Sequence, residues 1–135
     1  MQVLNSVECQ GLLTALDDEY RAWAVYDQVI CDFGEVRPFI NIRDAEQRHI
    51  DALLRLCADY RVEAPANPWP GQVPRYSSAH EACQQAVTGE IENGALYDQV
   101  MQSTDRADLL RVYRALQNAS IDRHLPAFRR CAARG

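Results

Sequence analysis

Ala45-Glu46-Gln47-Arg48-His49 sets a carboxylate and an imidazole three residues apart in a segment that otherwise alternates as an amphipathic helix. Residues three apart are neighbours on one helical face. The rest of that face is Phe39, Ile42, Leu53, Leu56 and Tyr60, reached in steps of three and four. A glutamate and a histidine in an apolar seam are costly unless something pairs with them. A divalent cation is one such partner, and the other helices decide whether further ligands are on hand.

Three more segments carry a helical stripe, and none has the period of two that marks a strand. The first runs from about Ser6 to Cys31, with Leu12, Leu16, Glu19, Trp23, Tyr26 and Ile30 on one face. Asn5 and Glu8 are spaced as a capping box, and Phe33-Gly34 is a natural stop. The second, from about Pro38 to Tyr60, holds the opening stretch, with Pro38 suited to its first turn. The third starts near Ser78, which can cap while Glu81 returns the bond. Its stripe is Cys83, Val87, Glu90, Gly94, Tyr97 and Met101. Glu92 falls on the polar side with Gln85, Thr88 and Gln99, so Glu90 is the inward residue. Gly94 removes bulk and lets a partner helix approach. After a turn at Ser103-Thr104-Asp105 the last segment runs to about Ala133, with Leu109, Tyr113, Leu116, Ser120, His124, Phe128 and Cys131 on one face.

Between the second and third segments, residues 62–74 contain four prolines and Gly71, which forbid regular helix. A connection that long suits a crossover running the length of a bundle. Neither half could bury its own stripe, so the chain reads as one all-α domain over residues 1–135. Trp69 is expected to pack the crossover onto the bundle.

With 19 acidic against 14 basic residues the chain lacks the basic face that nucleic acid requires. No apolar run approaches the roughly 18 residues of a membrane helix, and the N-terminus has no signal-peptide pattern, so a cytoplasmic location is expected. Arg123, Arg129, Arg130 and Arg134 read as cations near the end of a last helix. The five cysteines (Cys9, Cys31, Cys57, Cys83, Cys131) are widely spaced, without C-x-x-C, and read mostly as reduced core residues.

The stripes direct Glu19, Glu46, His49, Glu90 and His124 toward one core. Three carboxylates and two imidazoles suit iron, manganese or zinc. Singly, each has a structural reading: His124 as a hydrogen-bonded core histidine, Glu90 turned to solvent, Glu19 neutral and bonded to a tyrosine. Together they interrupt separate stripes near mid-helix, and the metal reading is preferred. Tyr26 and Tyr97 lie close by, either as core or as hydrogen-bond partners of ligands.

These segments resemble the ferritin-like superfamily, in which successive helices give Glu, Glu-x-x-His, Glu and Glu-x-x-His. The resemblance is nearer to a microbial ferritin-like family of unknown function. It rests on Ala15-Leu16-Asp17-Asp18-Glu19-Tyr20 with Tyr26, on Pro38 to Ile42 running into Ala45 to Ile50, on Glu90 to Asn93 with Leu96-Tyr97-Asp98, and on Leu116 to Ser120 with His124 to Phe128. It implies an up-down-down-up four-helix bundle with two divalent ions, iron first and manganese or zinc as alternatives. It does not imply a known reaction; iron, O2 or peroxide handling of the ferroxidase type is the expectation carried by analogy, and a homodimer is one expected assembly. By the resemblance Glu19, Glu46, His49, Glu90 and His124 are the ligands. The pattern departs at Ile121, which stands where the fourth-helix Glu belongs. Either water or an exogenous ligand then fills the gap, or one metal is weakly held, or Glu92 or Gln117 compensates. The alternative function is a non-catalytic interaction or structural module, with zinc or no metal.

Overall fold

The computed structural model describes residues 2–134, which are helical with no strand among them. Helix α1 (Ser6–Phe33) begins at the expected capping box: Asn5 accepts from the Glu8 N–H at 2.8 Å, and Glu8 accepts from the Asn5 N–H at 3.0 Å. It ends at Gly34, whose φ of 88° favours glycine. Helix α2 (Phe39–Asp59) starts one residue later than expected, with Pro38 just before its first turn. Helix α3 (Ala79–Met101) is capped by Ser78, while the Glu81 carboxylate reaches back to Ser77 instead of Ser78.

The last segment differs from the single regular helix expected. Helix α4 (Ala107–Ala119) passes into a π-helical turn (Ser120–His124) and then α5 (Leu125–Arg134), all one rod of helical backbone. Pro126 supplies a reason. It has no N–H, and in a regular helix its ring would crowd the carbonyl four residues back, that of Asp122. The wider turn, in which the Leu125 N–H donates to Ser120 O, relieves that crowding.

Side-chain contacts fix the directions. Arg43 bonds Asp27, and His49 lies 3.5 Å from Glu19, so α2 runs antiparallel to α1. Tyr26 meets Glu90 and Tyr97 meets Glu19, so α3 also opposes α1 and is parallel to α2. Gln117 bonds Asp98 and Ser120 bonds Glu90, which sets the fourth rod antiparallel to α3. The parallel pair α2 and α3 needs a crossover, and residues 60–78 supply it along α1. Tyr20 Oη donates to Pro65 O at 2.8 Å, Trp69 Nε1 to Asp17 at 3.0 Å, and Arg75 to Asp32 at 2.6 Å. Trp69 packs onto the bundle as expected.

Two apolar clusters fill the interior. Leu12, Leu16, Leu53, Leu109 and Tyr113 form one end. At the other, Tyr26, Phe39 and Phe128 pack with ring centroids 5.1–5.7 Å apart. The buried face of α1 drifts from the expected stripe: Ala22 and Val29 are buried, and Trp23 and Ile30 sit at its edges. Cys83 and Cys131 form a disulfide joining α3 to α5, with Cα atoms 5.8 Å apart, which departs from the reduced reading. Cys9, Cys31 and Cys57 are free thiols. Among the described residues no helix is long and apolar enough to cross a membrane.

Phe128 is fully buried in the aromatic cluster that seats α5 on the bundle. Phe128→Ala is expected to lower the unfolding free energy by about 3–5 kcal/mol in a denaturant titration. A loss below about 1 kcal/mol would mean that α5 is not anchored there.

Candidate metal centre

Between the two apolar clusters lies a layer of polar side chains sealed from water. Glu19, Glu46, Glu90, Ser120, His49 and His124 are each exposed by 7% or less. The sequence reading brought its five ligand candidates to one core, and the structure brings the same five together. Glu46 is central. Its Oε1 lies 3.1 Å from His49 Nδ1 and 3.4 Å from His124 Nδ1, and the imidazoles stack with centroids 5.3 Å apart. Glu19 Oε1 is 3.5 Å from His49 Nδ1, and Glu90 Oε1 is 3.3 Å from His124 Nδ1.

These are close approaches without hydrogen bonds. Glu19 Oε1, His49 Nδ1 and His124 Nδ1 are buried and have no partner. Orphaned buried polar atoms are rare and call for an explanation. One donor atom each from Glu46, His49 and His124 falls within 4.8 Å of the others, a group that could hold a metal ion. Ligand atoms about 2.1 Å from a divalent ion sit about 3.0–3.4 Å from one another, which is the spacing seen here. The donors also divide naturally, with Glu19, Glu46 and His49 on one side and Glu46, Glu90 and His124 on the other. The residues fit a metal.

The flanking carboxylates Glu19 and Glu90 are held by hydroxyl donors, Ser120 bonding the same Glu90 oxygen that faces His124. Tyr97 Oη donates to Glu19 Oε2 at 2.5 Å, Tyr26 Oη donates to Glu90 Oε2, and Ser120 Oγ donates to Glu90 Oε1 at 2.6 Å. Burial, and then the adjacent carboxylate, push both phenols well above their usual pKa, so they remain neutral donors. Such partners orient metal-binding carboxylates.

Ser120 was placed on the inward stripe by the sequence, but its bond to Glu90 was not foreseen. In a regular helix both Ile121, three back, and Ser120, four back, flank His124. In the wider π turn Ser120 stays buried, at 1% exposed, and Ile121 turns out. Ile121 turns outward over Gly94, where an added Cβ would meet Ile121 Cδ1 at 2.5 Å. The close approach expected at Gly94 is therefore made by Ile121. Glu92 is exposed, and Gln117 donates to Gly94 O and Asp98 at 2.9 and 2.7 Å, so neither completes the ligand set. The available signals were the place of Ser120 on the stripe and Pro126 within a helix. Asn93 was also unforeseen: it is buried and donates to Asp18 at 2.7 Å.

No family model matches the chain, and no curated protein does. Two solved structures are similar to it. A hypothetical protein of Methanococcus jannaschii DSM 2661 is 24% identical with a TM-score of 0.88, over 99% of this chain and 84% of that one. A conserved hypothetical protein of Mycobacterium tuberculosis is 19% identical with a TM-score of 0.82, over 95% and 92%. At these identities the likeness carries the fold alone.

In the metal-free layer, burial and then the charges of Glu19 and Glu90 raise the Glu46 pKa well above the ordinary glutamate range. Burial also opposes ionisation of Glu19, but contact with His49 outweighs it and lowers that pKa. A raised carboxyl stabilises the fold below its unfolded pKa and loses that contribution as pH climbs through the folded one. Protein stripped of metal should therefore lose stability above the ordinary glutamate range, by up to about 1.4 kcal/mol per pH unit. Glu19 acts in the opposite window, below that range. Denaturation across pH in chelator should reveal the loss, and Glu46→Gln should remove it. An equal slope in both proteins would contradict the assignment.

Proposed function

We propose that the chain is a ferritin-like metal-binding protein whose buried layer holds two divalent ions, iron first, and handles O2 or peroxide as an oxidoreductase. The observation that carries this reading is the Glu46 carboxylate between two unpartnered imidazole nitrogens, flanked by two further buried carboxylates. Three buried carboxyl groups have no guanidinium or ammonium bonded to them among the described residues. Two divalent ions would let all three ionise, whereas a purely structural core would hold Glu46 protonated.

Glu19, Glu46 and His49 would hold one ion, and Glu46, Glu90 and His124 the other. Bound there, iron supplies one-electron chemistry toward O2 or peroxide. The protein's part is positional. Tyr97 and Tyr26 keep Glu19 and Glu90 turned inward, Ser120 steadies Glu90 where the superfamily has a sixth ligand, and the apolar clusters exclude bulk water. A serine in place of a carboxylate leaves the His124 side with fewer protein ligands and room for a small exogenous one. Glu46 releases its proton when metal enters, so affinity should rise with pH. A zinc-bearing or metal-free interaction module remains the second reading, but Trp69, the side chain it would offer a partner, is packed against the bundle and bonded to Asp17.

Protein purified without chelator or nickel affinity should oxidise added Fe(II) in aerated buffer well above the buffer rate, and Glu46→Ala should abolish the excess. Tyr97→Phe should weaken metal binding by about 10–100-fold while leaving the fold intact. A wild-type rate equal to buffer would sink the oxidase reading. Zinc held with no Fe(II) oxidation would favour the second.

A further inference from the structure

Outside the buried layer, and sharing His124 with it, is a cleft of about 330 Å³ between the start of α2 and the π turn. Arg37, Arg48 and Arg123 line it, with Ala45 and Ala127 as small apolar wall and no acidic side chain. That composition is unexpected in a chain of net charge −5. The three arginines are exposed and make no hydrogen bond or ion pair among the described residues. Arg21, Arg43, Arg75 and Arg106 are all bonded to aspartate or glutamate. Other arginines are also unpaired, so what groups Arg123 with Arg37 and Arg48 is the cleft that the three line together.

The first turn of α2, which also borders the cleft, has neither a side-chain cap nor an acidic residue. Its positive end is left for an anion from outside. Guanidinium groups recognise planar oxyanions through paired N–H bonds. A concave site walled by one sign of charge also concentrates the opposite sign from solution. His124 is 4% exposed, and its Nδ1 faces the carboxylates without a partner, so the one ring belongs to both cleft and centre.

We propose that this cleft binds a small oxyanion ligand, a carboxylate or phosphate, on the outer side of His124. Binding in the cleft does not rest on the metal reading. The carboxylate class is accommodated by the apolar alanine wall beside the arginines, and the phosphate class by the helix N-terminus.

The test uses full-length protein stripped of metal, titrated with succinate and separately with inorganic phosphate at low ionic strength. Binding is followed by calorimetry and by the amide shifts of Asn41, Ala45 and Ala127. Saturable binding of either probe is expected, and whichever binds tighter names the class. Each of Arg37→Gln, Arg48→Gln and Arg123→Gln should weaken it by about tenfold. Arg130→Gln, outside the cleft, should leave it unchanged, with circular dichroism verifying that every variant is folded. No saturable binding of either probe, or binding indifferent to the three cleft substitutions, overturns the proposal. Metal content measured before stripping and after reconstitution separates the two ideas: a protein that carries metal but, once stripped, ignores both anions refutes the cleft alone, and one that binds the anions yet neither carries nor takes up metal refutes the centre alone.

Discussion

Glu46 stands between two imidazoles in a layer of the bundle that water does not reach, and two more carboxylates face the same space. Burying three carboxyl groups together is unfavourable enough that the surrounding structure must compensate for it. Tyr26, Tyr97 and Ser120 each donate to a carboxylate oxygen, so the glutamates cannot relax toward solvent or toward one another. These donors come from α1, α3 and the π turn, and the acceptors from α3 and α1. The hydrogen bonds therefore cross the bundle and fix the register of its helices. Apolar clusters above and below hold the layer at mid-bundle.

The π turn has a particular place in that arrangement. It admits Pro126 into a continuous rod, and of the two residues that flank His124 in a regular helix it keeps Ser120 buried and turns Ile121 outward. A short hydroxyl is then the buried neighbour of His124. The same turn frees Ile121 to cover Gly94, and it brings Arg123 to the outer cleft beside His124. One local change in helical pitch thus bears on the side chains beside His124, the packing of α3, and the charge lining the outer cleft.

Much of this was legible in the sequence because helical periodicity depends on local spacing. Glu19, Glu46, His49, Glu90 and His124 could be placed on inward faces by counting threes and fours, and the caps at Asn5 and Ser78 by their partners three residues on. The proline-rich crossover could be read from chemistry that forbids helix. Ser120 could be placed on the inward stripe, but its bond to Glu90 could not be read, because it depends on how the fourth rod packs against α3. The pairing of Cys83 with Cys131 was hidden for a related reason: it depends on which residues of two antiparallel rods face each other, 48 positions apart. The gathering of Arg37, Arg48 and Arg123 likewise depends on tertiary packing of three separate segments.

Anomalous diffraction from crystals soaked in Fe(II) or Mn(II) tests the central claim most directly, because it locates ions without reference to activity. Two peaks flanking the Glu46 carboxylate are predicted, one beside His49 Nδ1 and the other beside His124 Nδ1. Crystals that diffract well yet have no anomalous peak within reach of Glu46, His49 and His124 would contradict the account and leave the layer a structural core.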